Sequence, residues 1–336
     1  MTFQQLRYLV AIADSGLNIT AAADRLYTSQ PGISKQLKLL EQELGVQLFT
    51  RKGKSLTAIT PAGREVIGRA RRIMREVENI RSLAGDMAGE QEGTLALATT
   101  HTQARYVLPG VIREFRERYP KINLELQQGT SEQIAELVAA NRVDFAIATG
   151  SRHLFANLVL LPCYRWDRIV VVPRDHPLAA IPKLSLQDLA EHPLVTYVFS
   201  ATGESSLKKS FADQGLEPNV VFTARDADII KTYVRMGMGV GILAPMAFEP
   251  QDQRDLVPLD VAGLFSRVTT WLGFRRDAVL RKYMVDFVAL FAAHLTPAVT
   301  RKAAQMVTQA EVDALFDEET LPLKGAATAL AAGAVV

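Results

Sequence analysis

Residues 98 to 110 read ATTHTQARYVLPG, with Thr99, Thr100, Thr102 and Gln103 crowded around His101 where an apolar strand, GTLALA, runs into a helix. Hydroxyl and amide groups give and take hydrogen bonds without carrying charge, so a cluster of them can hold a small anion. A loop leaving the carboxyl end of a strand is a common ligand position in α/β domains, and the following helix offers backbone N–H groups. The same residues also suit helix capping and a hydroxyl-rich turn. The stretch alone leaves both readings open.

Two further threonines fit the first reading. Thr149 closes the apolar run VDFAIAT, and Thr202 stands before a helix in SATGESS. With Thr100, Thr102 and Gln103 they form a set that would bind an anion without a buried countercharge. His101 either donates to such an anion or serves structure, and Trp166 either lines the pocket or packs a hinge. Arg225, Asp226 and Asp228, in TARDADIIKTYV, suit capping of a helix or closure of a cleft. Cys163, in LLPCYRW, reads as a small buried hydrophobe. Gly237, Gly239 and Gly241 precede a strand instead of following one, which is not the order a dinucleotide fingerprint requires. No nucleophile, base and orienting residue come together and no metal-ligand spacing occurs, so no catalytic residue, metal or cofactor is expected.

These residues need a frame. The 336 residues, 48% of them apolar, suffice for two or three domains with their own cores. No apolar run is long enough to span a membrane, and MTFQQLRYLV lacks the pattern of a secretory signal. A soluble cytoplasmic protein without membrane contact is expected. The single cysteine excludes an intramolecular disulfide and a multi-cysteine metal site. Residues 1 to 90 hold 13 Lys/Arg against 9 Asp/Glu, and the remainder 25 against 27. The excess of positive charge points to the amino-terminal part as the one that would touch nucleic acid.

That part reads as three short helices. FQQLRYLVAIA places Leu6, Leu9, Val10 and Ala13 on one face; Asn18 caps a helix whose Ala21, Ala22 and Ala23 permit close crossing. After the turn YTSQPG, a third helix from about Pro31 carries Ile33, Leu37, Leu40 and Leu44 on one side and Ser34, Lys35 and Lys38 on the other. QLFT and SLTAIT, joined by RKGK, form a hairpin with a basic tip. Three helices alone would suit a small bundle with solvated lysines. The hairpin adds a wing, and helix plus wing make a DNA-binding surface of Ser29, Gln30, Ser34, Lys35, Lys38, Arg51, Lys52 and Lys54. Thr60 and Pro61 start a long helix to about Met87, in which Val66, Ala70, Ile73, Val77, Ile80, Ala84 and Met87 form a coiled-coil seam. Packing on its own core is the alternative to a homodimer.

From Gly93 strand and helix patterns alternate: TLALA, a helix around Val107 to Arg118, INLELQ, then TSEQIAELVAANR opening on a Thr130 and Gln133 capping box, then VDFAIAT. A second set follows from Trp166, with strands RIVVV, PLVTYV, NVVF and GVGIL and helices around Leu186, Leu207 and Ile230. TWLGF and a helix at Lys282 to His294 return to the first half. The fold class is α/β, with strand ends gathered on one side and crossings near 162–167 and 264–270.

The run AAADRLYTSQPGISKQLKLLEQELGVQLFTRKGKSLTAITPAG resembles the winged helix-turn-helix of LysR-type transcriptional regulators, with its small-residue helix, SQP, LExxLG, LFxR and LTxAG. Many members carry His before the polar residue and SQP, where this chain has Tyr27 and Thr28; LYTSQPGISKQ resembles instead the CysB-like branch that controls sulfur assimilation. The resemblance extends to about residue 295. It implies a winged helix-turn-helix over 1–60, a linker and dimerisation helix over 61–88, and two subdomains of periplasmic-binding-protein type (type 2), 89–164 with 268–295 and 165–267. Residues 296–336 are then a carboxyl-terminal extension, partly mobile, in which QAEVDALFDEETL suits a helix. It further implies that the TTHTQ, IAT and TG positions contact sulfate or a sulfur-pathway effector such as an acetylated serine or thiosulfate. The implied partners are double-stranded promoter DNA, a second copy through the linker helix, a homotetramer and RNA polymerase, and the implied role is activation of sulfate uptake and cysteine synthesis. A sibling regulator of sulfonate use fits the same residues; a small-anion solute-binding protein or an enzyme on the α/β part leaves the basic amino-terminal module without a purpose.

Overall fold

Thr2 and Gln5 close a reciprocal capping box that starts α1 (Phe3–Asp14), and Asn18 accepts the Ala21 amide at 3.1 Å to start α2 (Ile19–Arg25). Ser29 caps α3 (Gln30–Leu44), which stops at Gly45 in the left-handed region, φ +68°. The computed structural model describes residues 1–53, 55–87, 92–150, 152–198 and 205–325. It divides into two units, Met1–Glu90 and Gln91–Val336.

In the first unit Leu9, Ile12, Ala22, Ile33, Leu37 and Leu40 interlock as one core. The antiparallel hairpin β1 (Phe49–Lys52) and β2 (Ser55–Ile59) adds Phe49 and Leu56 to it. Thr60 accepts the Gly63 amide at 2.9 Å and starts α4 (Pro61–Met87). A Cβ at Gly63 would lie 2.0 Å from the Leu48 carbonyl oxygen, so only glycine lets the helix start this close to the wing. Ile67 and Ala70 of α4 are buried in this core, whereas Ile73 and Ile80 are 43% and 61% exposed. The first third of the helix packs on its own unit; further along the seam Ile73, Ile80 and Ala84 are exposed and Val77 is half-buried.

The second unit holds two five-stranded sheets. The first has the order β4-β3-β5-β12-β6, from β3 (Gly93–Thr99), β4 (Ile122–Gln128), β5 (Phe145–Thr149), β6 (Leu158–Trp166) and β12 (Val268–Arg275). The second has the order β11-β7-β10-β8-β9, from β7 (Ile169–Pro173), β8 (Leu194–Tyr197), β9 (Val220–Ala224), β10 (Val240–Leu243) and β11 (Leu256–Asp260). Strands β3, β4 and β5 are mutually parallel, as are β8, β9 and β10, so each trio sends its carboxyl ends one way. The chain leaves the first sheet between Trp166 and Ile169 and returns between Asp260 and Val268. One apolar cluster runs through both, from Leu95, Phe145 and Phe287 to Trp166, Val195 and Leu243.

Helices α5 (His101–Tyr106), α6 (Leu108–Arg118), α7 (Ser131–Ala139) and α11 (Lys282–Phe291) belong to the first sheet's half of the chain. In the second half α8 (Leu186–Ala190), α9 (Ser206–Ala212) and α10 (Ala227–Arg235) follow the expected centres. Where the sequence suggests one helix around Val107 to Arg118, the structure starts α5 at His101. Val107, at φ −114° and just ahead of Pro109, separates α5 from α6. Residues 297–325 continue the fold through α12 (Pro297–Ala304) and α13 (Gln309–Asp313), which bury Ala303 and Val312; the remaining alanine-rich end, 326–336, lies outside the described residues.

Candidate ligand cleft and nucleic-acid interface

The carboxyl ends of the two parallel trios converge on a cavity of about 330 Å³. Thr100 follows β3, Gln128 and Gly129 end β4, and Thr149 ends β5; Tyr197, Arg225 and Ala244 follow or end β8, β9 and β10. Convergence of strand ends is the ordinary way an α/β fold makes a ligand crevice. Thr100, His101, Thr102, Gln103, Thr149 and Trp166 all line it. Thr202 lies outside the described residues.

Capping does not explain Thr100. It occupies the N-cap position of α5, yet its side chain makes no capping hydrogen bond, whereas Thr130 caps α7 through the expected reciprocal box with Gln133. The Thr100 hydroxyl forms no other hydrogen bond among the described residues and faces a cavity. The first N–H groups of α5 also have no acceptor within the helix. Thr102 and Gln103 are buried on the first turn of α5, with Thr102 donating to the Tyr197 hydroxyl at 3.4 Å.

A polar network behind the wall fixes these groups. Trp166 donates its indole N–H to the Thr270 hydroxyl at 3.2 Å, and Thr270 shares a hydrogen bond of 3.1 Å with Thr149. Tyr164 donates to the Gln103 carbonyl oxygen, and Tyr197 accepts the Ala244 amide at 3.3 Å. Burial pushes the hydroxyls of Tyr164 and Tyr197 above the ordinary phenol range, so both stay protonated. Arg168, at the crossing, is buried against the Ser206 hydroxyl at 2.9 Å and the Ser266 carbonyl at 3.3 Å, and burial pushes its guanidinium down to about 10. A buried cation therefore stands close enough to Tyr197 to interact with it electrostatically, without itself lining the cavity.

Of the other candidates, Arg225 and Asp226 also line the cavity. Asp226 caps α10 through the Ile229 amide at 2.8 Å; Asp228 accepts from Tyr106 at 2.8 Å and pairs with Arg105 at 2.7 Å. His101, Asp226 and Asp228 lie near enough to hold a cation, but both carboxylates are already committed to these partners. The His101 Nδ1 is buried without a hydrogen-bond partner among the described residues. The Cys163 thiol is buried and held far above the ordinary thiol range by burial, consistent with a packing role. Gly239 sits where a Cβ would lie 2.3 Å from the Pro193 carbonyl oxygen, a close backbone approach unrelated to a dinucleotide. Sequence reasoning misses Tyr164, Arg168, Tyr197, Thr270 and the Gln128–Thr130 turn. Following each parallel strand to its carboxyl end finds the turn and Tyr197.

On the first unit, Lys35 and Lys38 are exposed along α3, and Gln30 donates to Ser34 at 3.1 Å. Ser29 is occupied by the Gly32 amide at 3.3 Å, so its hydroxyl starts the helix as well as standing at its exposed end. Arg51 binds Glu41 at 2.9 Å, Lys52 is exposed, and Lys54 lies outside the described residues. Replacing Lys35 by Ala is expected to weaken duplex binding by a similar factor on every sequence and to lower the slope of log K against log salt by about 1. An unchanged slope in a salt titration would remove Lys35 from the phosphate contacts.

Residues 3–64 match the family described as bacterial regulatory helix-turn-helix protein, lysR family, and residues 88–296 match the LysR substrate binding domain. The chain is 46% identical over 324 residues to the HTH-type transcriptional regulator CysB of Haemophilus influenzae, covering 96% of this chain and 100% of that one. It is 45% identical to the HTH-type transcriptional regulator SsuR of Burkholderia cenocepacia, covering 89% and 97%. The crystal structure of the cofactor-binding domain of the Cbl transcriptional regulator superposes with a TM-score of 0.60 at 41% identity, over 64% of this chain and 95% of that one. These relatives are transcriptional regulators, not enzymes. A winged helix-turn-helix followed by paired α/β sheets, matched over most of its length, places the chain in the LysR family of DNA-binding transcriptional regulators, in the branch that includes CysB, Cbl and SsuR.

Proposed function

We propose that this regulator binds promoter DNA in the cytoplasm and senses a small sulfur-related effector in the cleft, thereby controlling sulfate assimilation and cysteine synthesis. Acetylated serine, sulfate and thiosulfate are the candidate effectors. The observation that carries the reading is the Thr100 hydroxyl, at an N-cap yet without a hydrogen bond among the described residues, beside a cavity shared with Thr102, Gln103 and Thr149. A tetraoxo anion or a small carboxylate needs several neutral donors converging at short range. A cavity of about 330 Å³ also leaves room for an acetylated amino acid. Effector binding would bias cleft geometry and, through the linker helices, the spacing of two recognition helices. Anisotropy titrations of sulfate-uptake promoter fragments, with and without acetylserine, test this directly. A shift in affinity or footprint spacing supports the reading, and identical titrations with every candidate effector would sink it.

The assembly is a homodimer joined through α4, with dimers pairing into a tetramer and RNA polymerase as the partner in activation. The exposed Ile73 and Ile80, one heptad apart, support that reading. Replacing both by Glu removes roughly 3–6 kcal/mol of apolar burial from such a seam. Sedimentation should then show a smaller species, and an unchanged mass would contradict the dimer through α4.

A further inference from the structure

Strand β6 is the outer strand of the first sheet, and its free edge is covered by the chain's own carboxyl-terminal segment. Gln309 bonds both the Leu160 amide and carbonyl at 2.9 Å, and His294 Nε2 lies 2.9 Å from the Pro162 carbonyl. Arg165 is taken completely: its amide donates to the Pro322 carbonyl and its carbonyl accepts the Lys324 amide, each at 2.8 Å, while its guanidinium meets Glu319 at 3.2 and 3.3 Å. Leu323 thereby pairs with Arg165 as a short parallel strand. An unpaired edge is a liability that proteins cover, and this alone would justify the segment.

The place where the edge is gripped carries the argument further. Side chains alternate along a strand, so Tyr164 and Trp166 point to the face opposite Arg165. Trp166 lines the cavity and Tyr164 holds Gln103, both one residue from the clamp and within four of the crossing into the second sheet. The Lys324 ammonium lies 4.7 Å from the centre of the Tyr164 ring, within the range of a cation over an aromatic face. Past Lys324 the chain turns at Gly325, φ +92°, where a Cβ would lie 2.8 Å from Pro245 Cγ, beside Ala244 of the cavity wall. The segment thus runs from the edge of the first sheet to the second.

We infer that residues 319–325 are a positioning strap for the effector cleft, with Lys324 acting through Tyr164 on Gln103. The Tyr164 hydroxyl occupies the Gln103 carbonyl oxygen. The amide nitrogen, without a partner among the described residues, is then the group Gln103 has for an anionic ligand. Lys324 holds the ring that holds the amide. The inference rests on the effector reading of the cleft, and its test separates the two.

Full-length Lys324→Met and Lys324→Arg variants are titrated calorimetrically with thiosulfate, sulfate and acetylserine in chloride buffer. Lys324→Met is expected to loosen the ligand about 5- to 10-fold, Lys324→Arg to stay within about twofold of the parent, and promoter affinity without ligand to stay unchanged. Parent-like ligand affinity in Lys324→Met overturns the strap. Should the parent bind none of the three, the sulfur reading fails and the strap is judged on the unliganded chain. In a Trp271→Phe background Trp166 emission should then change when Lys324→Met is added, and coincident spectra with and without that substitution overturn it.

Discussion

Replacing Thr100 and Thr102 together by Val should abolish the response of promoter binding to effector while leaving affinity for DNA without effector unchanged. Valine matches threonine in shape, so the cavity keeps its size and α5 keeps its packing. Thr100 supplies no capping bond whose loss would unravel the helix. Among the described residues Thr102 loses its contact of 3.4 Å to Tyr197. What disappears is the Thr100 hydroxyl donor and the Thr102 hydroxyl, which would turn from its long bond to Tyr197 toward a charged ligand, worth about 1.5–3 kcal/mol each, hence roughly 10²- to 10⁴-fold in effector affinity. Anisotropy on a promoter fragment across an effector series reads the change. A double variant that still responds at the parent concentration would remove both threonines from the site.

The second large effect lies in the DNA-binding unit. Glu41, in the LExxLG run, is buried on α3 and accepts the amides of Leu48 at 2.9 Å and Phe49 at 3.4 Å, while its other oxygen binds Arg51. One carboxylate therefore ties the recognition helix to the first strand of the wing. Glu41→Ala leaves two buried amides and a guanidinium without their acceptor, at a cost of about 3–5 kcal/mol. Glu41→Gln keeps one oxygen for the amides and should lose about half as much. Hydrogen exchange at the Leu48 and Phe49 amides is the sensitive readout because it reports the wing alone. Exchange more than about 10²-fold faster in Glu41→Ala is expected, with promoter binding lost in parallel. Undiminished protection would show that the wing is held by its apolar contacts instead.

Much of this arrangement is visible in local sequence because local physics encodes it. Asn18, Thr60 with Pro61, and the Thr130 and Gln133 box each start a helix where their side chains satisfy the first free amides. The polar and apolar faces of α3 follow from helical spacing, and the alternating runs after Gly93 fall on strands of two sheets. The cleft is less legible. His101, Thr102 and Gln103 look like a loop, and they form the first turn of α5, a short helix that Val107 separates from α6. Tyr164 and Thr270 reach the site from strands 61 or more residues away in sequence from Gln103. The segment after 296 is least legible of all. Its hold on β6 uses backbone groups and single side chains such as Gln309, at a separation of 149 residues from Leu160, with no periodic pattern to announce it. The expected recognition surface fares similarly: helix faces show in the sequence, but the pairing of Arg51 with Glu41 does not.

Calorimetric titration of the full-length protein with thiosulfate, sulfate and acetylserine in chloride buffer tests the central claim most directly. The account predicts saturable binding of at least one of them at one site per chain, lost in the Thr100→Val, Thr102→Val double variant. A folded protein that takes up none of the three would contradict a sulfur-sensing cleft and leave a LysR-family DNA-binding regulator whose effector belongs to other chemistry.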